Sequence, residues 1–98
     1  MASTADRKQS PAEAARLARE QVEELFEKPV ESVSAISRGE DGWSVTLELL
    51  ELPRIPDTTS VLGSYEALLD ENGDLLEAKR VRRYARNQTD AQQRGGGQ

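Results

Sequence analysis

Residues 43–49, Trp43-Ser44-Val45-Thr46-Leu47-Glu48-Leu49, alternate apolar and polar without a break. Successive side chains of a strand point to opposite sides, so Trp43, Val45, Leu47 and Leu49 share one face and Ser44, Thr46 and Glu48 the other. This is a half-buried strand whose apolar face another element must cover. Leu50 and Leu52 break the pattern, which points to a bulge or to apolar surface on the second face. Upstream, Gly39-Glu40-Asp41-Gly42 reads as a turn whose Asp-Gly step favours a hairpin, with Val30–Arg38 as the strand before it. Alternation there is blurred, with Val33 and Ala35 on one face and Val30 and Ile36 on the other. Downstream, Pro53 and Pro56 bracket Arg54-Ile55 and hold it near an extended conformation. Val61–Leu69 reads as a third strand, with Tyr65, Ala67 and Leu69 on one face. Asn72-Gly73 then signals a type I′ hairpin turn, and Leu75 to about Tyr84 is the fourth strand.

The cover comes from the N-terminal side. Ser10-Pro11-Ala12-Glu13 combines a capping hydroxyl, a proline suited to the first helical position and a carboxylate three residues after the cap. A helix is expected from Pro11 to about Glu27, stopped by Pro29, with Lys28 suiting the dipole at its end. Ala14, Ala15, Leu17, Ala18, Val22, Leu25 and Phe26 fall on one side, and Val22, Leu25 and Phe26 are expected to make the main contact. One helix followed by two hairpins gives the α+β class: an N-terminal helix packed on a four-stranded antiparallel sheet. The domain is expected over residues 10–86, between disordered tails at 1–9 and 87–98.

Composition narrows the function. The chain has 98 residues, no cysteine and no histidine. Thiol chemistry, disulfide frameworks, zinc fingers and imidazole catalysis are therefore absent from it. No cofactor is expected. No apolar run approaches the ~18 residues of a membrane span, and MASTADRKQSPAEAA has no apolar signal core, so a protein kept inside the cell is expected. Asp70, Asn72 and Asp74 mimic the opening of a calcium loop, but Leu75 and Val81 stand where that loop needs Gly and Glu, so a tight turn explains them. Glu48 and Glu51 lie an odd number of positions apart on a strand, which points them to opposite faces and denies them a shared catalytic pocket. No serine lies in a nucleophile elbow and no glycine-rich phosphate loop is present. An enzyme is not expected.

Charge is uneven. Residues 1–78 carry 7 basic and 17 acidic side chains, whereas residues 79–98 carry 6 basic and 1 acidic. Lys79, Arg80, Arg82, Arg83 and Arg86, with Tyr84 among them, form a basic segment. It suits an acidic protein partner, because arginine predominates and binds carboxylates in a planar, bidentate way. The alternative is a nucleic-acid-associated regulator using Lys79–Arg86 for phosphates and Tyr84 for stacking, against which the acidic body weighs. A charged edge strand guarded against pairing is the plain structural reading. Arg54, on its proline-bracketed connection, is placed for a carboxylate inside the domain or across an interface. Leu50, Leu52, Leu62 and Leu68 lie off the helix-covered face, and together with the open sheet edges they predict self-association, as a dimer.

One ordered set of residues carries a resemblance. It runs Gly42-Trp43, Leu47-Glu48, Glu51, Arg54-Ile55-Pro56-Asp57-Thr58, Tyr65-Glu66, Asn72-Gly73 and Arg82-Arg83-Tyr84-Ala85-Arg86. In this order it resembles the gas vesicle protein O family over roughly residues 12–86, departing at Ala78, where that pattern has an aromatic residue. The resemblance implies a non-enzymatic accessory protein of gas vesicle assembly. It would be cytoplasmic and vesicle-associated, and would act by binding other gas vesicle proteins. Arg54, Lys79, Arg80, Arg82, Arg83, Tyr84 and Arg86 are the candidate partner-binding residues.

Overall fold

A computed structural model describes residues 9–88 of the chain. The expected tails lie outside the described residues, apart from Gln9, Asn87 and Gln88. Helix α1 (Pro11–Phe26) precedes strands β1 (Val30–Arg38), β2 (Gly42–Leu52), β3 (Val61–Asp70) and β4 (Leu75–Ala85). The strands form one antiparallel sheet in the order β1-β2-β3-β4, and α1 covers one face of it.

The start of α1 forms as its sequence demands. Ser10 Oγ accepts from Glu13 N at 3.1 Å, and Pro11 occupies the first turn. The helix ends at Glu27, whose backbone is left-handed (φ 57°) and whose N–H returns to Glu23 O; Lys28 lies beyond it. Its buried stripe corrects the expectation. Ala14, Ala18 and Val22 are fully buried, while Leu25 is 57% exposed. Spacing by four keeps the stripe on the sheet and carries it to Phe26, which stacks on Tyr65 with ring centroids 4.7 Å apart. Leu25 sits 100° around from Phe26 and falls on the flank. Two small alanines let the N-terminal half of α1 lie close to the sheet.

The face under α1 is built in rows across the strands. Val33, Leu47, Tyr65 and Arg80 are aligned in register, as are Ile36, Val45, Ala67 and Ala78. Trp43, Val45, Leu47 and Leu49 are all buried, as their alternation requires. β1 differs from its expected pattern. Two register shifts, between Val30 and Ser32 and between Val33 and Ala35, each insert an extra residue. Val30, Val33 and Ile36 therefore all reach the core at a spacing of three, and Ala35 is exposed. A bulge re-aims the side chains that follow it, and this explains the blurred alternation. Ala78, opposite Ala67, is half-buried against the core.

One connection also departs from expectation. In the β3–β4 turn only Gly73 has positive φ (90°), so Asn72-Gly73 is not a two-residue type I′ turn. The turn is closed by Gly73 N donating to Asp70 O, and Asp70 Oδ1 accepts from the N–H groups of Asn72 and Asp74. A three-residue connection with a left-handed glycine results. Between β2 and β3 the Ile55–Pro56 bond is cis, Pro56 is extended, and a 3-10 turn then spans Asp57–Thr59.

Side chains of α1 fasten both ends of the fold. Arg19 donates to Val30 O and Glu23 accepts from Val30 N, fixing the entry to β1. Gln21 donates to Gly73 O at 2.8 Å and accepts from Leu75 N at 2.9 Å, pinning the β3–β4 turn beneath the helix.

Candidate functional site: two carboxylate clusters at the loop end of the sheet

The alternation of β4, shifted by one residue where Val81 forms a bulge, divides the basic segment between two faces. Arg80 and Arg83 stand opposite Tyr65 and Gly63 on the helix-covered face; Arg82 and Tyr84 stand opposite Ser64 and Leu62 on the open face. Each face centres on one carboxylate of β2.

On the helix-covered face that carboxylate is Glu51. It is the extra residue of a bulge between Leu50 and Leu52, which turns it over Gly63. A side chain at Gly63 would collide with it. The Tyr65 phenol donates to Glu51 Oε2 at 2.6 Å, while Arg80 Nη1 and Arg83 Nε approach Oε1 at 3.1 and 3.2 Å. The Glu51 side chain is only 4% exposed. A carboxylate so buried is tolerable because charged donors surround it.

On the open face the carboxylate is Glu48, which accepts three hydroxyls. Ser34 donates to Oε2, and Ser64 and Tyr84 to Oε1, each at 2.6 Å. The Arg82 guanidinium lies over the Tyr84 ring, 4.4 Å from its centroid. Burial works to raise the Glu48 pKa, but the three hydroxyls and the charge of Arg82 outweigh it and hold the carboxyl below its ordinary value. Both phenols are pushed up to about 12, first by burial and then by the carboxylate each one serves. At neutral pH the two tyrosines are fixed donors.

Arg86 closes the end of the sheet. Its guanidinium bonds both oxygens of Glu31 at the start of β1, at 3.0 and 2.7 Å, so the two edge strands are joined here. Its Nε also lies 3.1 Å from Asp57 Oδ2, an ionic contact off line for a hydrogen bond. The Glu31 pairing raises the Arg86 pKa further. Leu62, expected to be exposed on this face, is only 3% exposed.

Arg80, Arg82, Arg83 and Arg86 thus each lie against one of Glu31, Glu48, Glu51 or Asp57, or within its field. The basic end of the chain is balanced from within. Sequence reasoning named the cations but not these partners. The signal for them was Glu48 on the polar face of β2, and Glu51 where the alternation fails. Two other candidates stand apart. Lys79 lies opposite Glu66 in register without a salt bridge among the described residues. Arg54 is exposed, and its backbone N–H donates to Ser60 Oγ. Among the described residues no group of three His, Cys, Asp or Glu gathers as metal ligands would, and no helix is long and apolar enough to cross a membrane.

Fold and site define a small two-layer α+β module whose charged and phenolic groups are largely committed to one another. The chain belongs to the family described as Gas vesicle synthesis protein GvpO, which matches it over residues 1–90. It is 49% identical over 81 residues to Gas vesicle protein O of Streptomyces sp. strain CB03234, covering 83% of this chain and 63% of that protein. It is 33% identical over 69 residues to Gas vesicle protein O1 of Halobacterium salinarum, covering 70% and 58%. Against Gas vesicle protein O of Haloferax mediterranei the identity is 37% over 70 residues, covering 70% and 50%. The chain therefore spans half to about three-fifths of the length of these relatives. No solved structure matches it.

Proposed function

We propose that this chain is a non-enzymatic accessory protein of gas vesicle assembly that acts by binding other gas vesicle proteins. Membership of a gas vesicle synthesis family supports the process. The observation that carries the binding mode is the internal neutralisation of Arg80, Arg83 and Arg86 by Glu51, Glu31 and Asp57. These arginines brace the sheet. Lys79, the outer side of Arg82 and the separate Arg54 loop are left to meet an acidic protein. The same neutralisation weakens the nucleic-acid reading, which needs several free cations along a phosphate backbone.

The test uses Lys79→Glu with Arg82→Glu, both side chains being exposed. The variant is produced in vesicle-forming cells in place of the wild-type chain, and tagged protein is assayed against each of the other gas vesicle proteins. Loss of capture and of vesicles, with the wild-type circular dichroism retained at the assay temperature, supports the proposal. Intact capture and vesicles overturn it. Salt-sensitive binding of the wild type to DNA or RNA, lost in the variant, transfers the case to the nucleic-acid reading.

A further inference from the structure

Two surface features at opposite ends of the molecule serve nothing inside the monomer. One is the tip of the β2–β3 loop. Ile55 is 100% exposed, yet the backbone presenting it is firmly held. Arg54 N donates to Ser60 Oγ, Ser60 Oγ to Asp57 Oδ1, and Thr59 N to Pro56 O. Ser60 O accepts from Arg86 N, which ties the loop to the end of β4. Beside Ile55 the Arg54 side chain has no partner among the described residues. A large apolar side chain on a pre-organised loop costs little entropy to dock and has the form of an interface anchor.

The other feature is a hollow of about 230 Å³ at the hairpin end, bordered by Trp43, Leu68, Leu69 and Leu76 and by Asp41. Leu68 and Leu76 are 38% and 65% exposed. Glu77 stands opposite Leu68 in register. Asp41 and Glu77 form no salt bridge among the described residues. The hollow is therefore apolar with an acidic border, the Arg38 guanidinium over Trp43 lying outside its lining, and the loop tip is apolar with a basic neighbour.

We propose that the Arg54-Ile55 tip of one copy docks in the Leu68–Leu76 hollow of a second copy, Ile55 entering the hollow and Arg54 meeting Asp41. β2 separates the two features by 11 residues, about 35 Å at the rise of a strand, so no copy can fill its own hollow. The contact joins unlike surfaces, so it propagates head to tail instead of closing as a two-fold dimer. It is small, so association is weak and dependent on concentration.

Sedimentation velocity of the purified chain, from micromolar to millimolar concentration, tests this. The wild type should show a growing ladder of species, shortened by added salt as the ion pair is screened. Ile55→Asp alone and Leu76→Lys alone should each weaken association at least tenfold while keeping the wild-type circular dichroism. Mixing the two variants should restore a complex that stops at two copies, because each supplies the surface the other lacks. Arg54→Asp combined with Asp41→Arg in one chain should recover the wild-type ladder. A wild type that stays monomeric throughout overturns the proposal. So does association that survives Ile55→Asp, which would place the contact elsewhere, such as the β4 edge. A two-copy complex from the wild type that grows no further overturns it as well.

Discussion

Tyr84 on β4 donates its phenol proton to Glu48 Oε1 on β2 at 2.6 Å, across the strand that lies between them. The bond ties strands that do not pair with each other, on the face that no helix covers. Tyr84→Phe leaves Glu48 with the two serine hydroxyls and removes a charge-assisted bond. A loss of about 1–2 kcal/mol is expected, and the melting temperature of a domain this size should fall by roughly 5–10 °C. A change under about a degree would show that the bond contributes nothing net.

The same groups set the pH range of stability. The folded-state pKa of Glu48 lies below its ordinary value of 4.5, so its contribution is present above that value and disappears as pH falls through the folded one. Tyr65 and Tyr84 are raised from 10.0 to about 12, so theirs is present below pH 10 and is lost as pH rises to about 12. Urea midpoints measured against pH should form a plateau with both limbs. Replacing both tyrosines with Phe should flatten the alkaline limb between pH 10 and 12. An alkaline limb of unchanged steepness would assign it to other groups.

Adjacent helix residues should respond very differently to truncation. Phe26 packs on Tyr65 and the core, while Leu25 is mostly exposed. Phe26→Ala should cost about 3 kcal/mol and leave a marginal fold, whereas Leu25→Ala should change stability by less than about 0.5 kcal/mol. Chemical denaturation of both variants decides this, and equal losses would contradict the helix orientation described above.

Gln21 holds the β3–β4 turn through both halves of its amide. Gln21→Ala strands the Leu75 N–H, at a cost of about 1–3 kcal/mol. Gly73→Ala adds strain from its positive φ and a clash with Leu17. Amide exchange at Leu75 should accelerate in Gln21→Ala while exchange in β2 follows global stability alone. Unchanged protection of Leu75 would show that the helix does not pin the turn.

The limits of legibility follow from local chemistry. The alternation of residues 43–49 announced the central strand and its buried face, because a period of two survives whatever the sheet packs against. Ser10-Pro11 announced the start of the helix, since capping is satisfied within four residues. Val30, Val33 and Ile36 misled, because a bulge leaves no mark on composition and moves every later side chain to the other face. Asn72-Gly73 misled because Gly73 alone takes positive φ, while Asp70 closes the turn from one residue further out. Leu25 misled because helical periodicity defines a broad apolar side, and the sheet settles which stripe of it is covered.

The element order, the antiparallel hairpins, the excess of base at one end and the resemblance carried by Glu48, Glu51, Arg54, Tyr65 and Arg82–Arg86 were legible along the chain. All of these depend on neighbours along the chain. What those residues do to one another is set by the packed sheet. Glu48 and Tyr84 lie 36 positions apart, and Glu31 and Arg86 lie 55 apart. Their meeting depends on strand register, on a bulge at Glu51 and on the approach of the two sheet edges. Charge is additive along a sequence, but its effect depends on distance and burial. An apparent cationic patch therefore became the internal brace of the sheet.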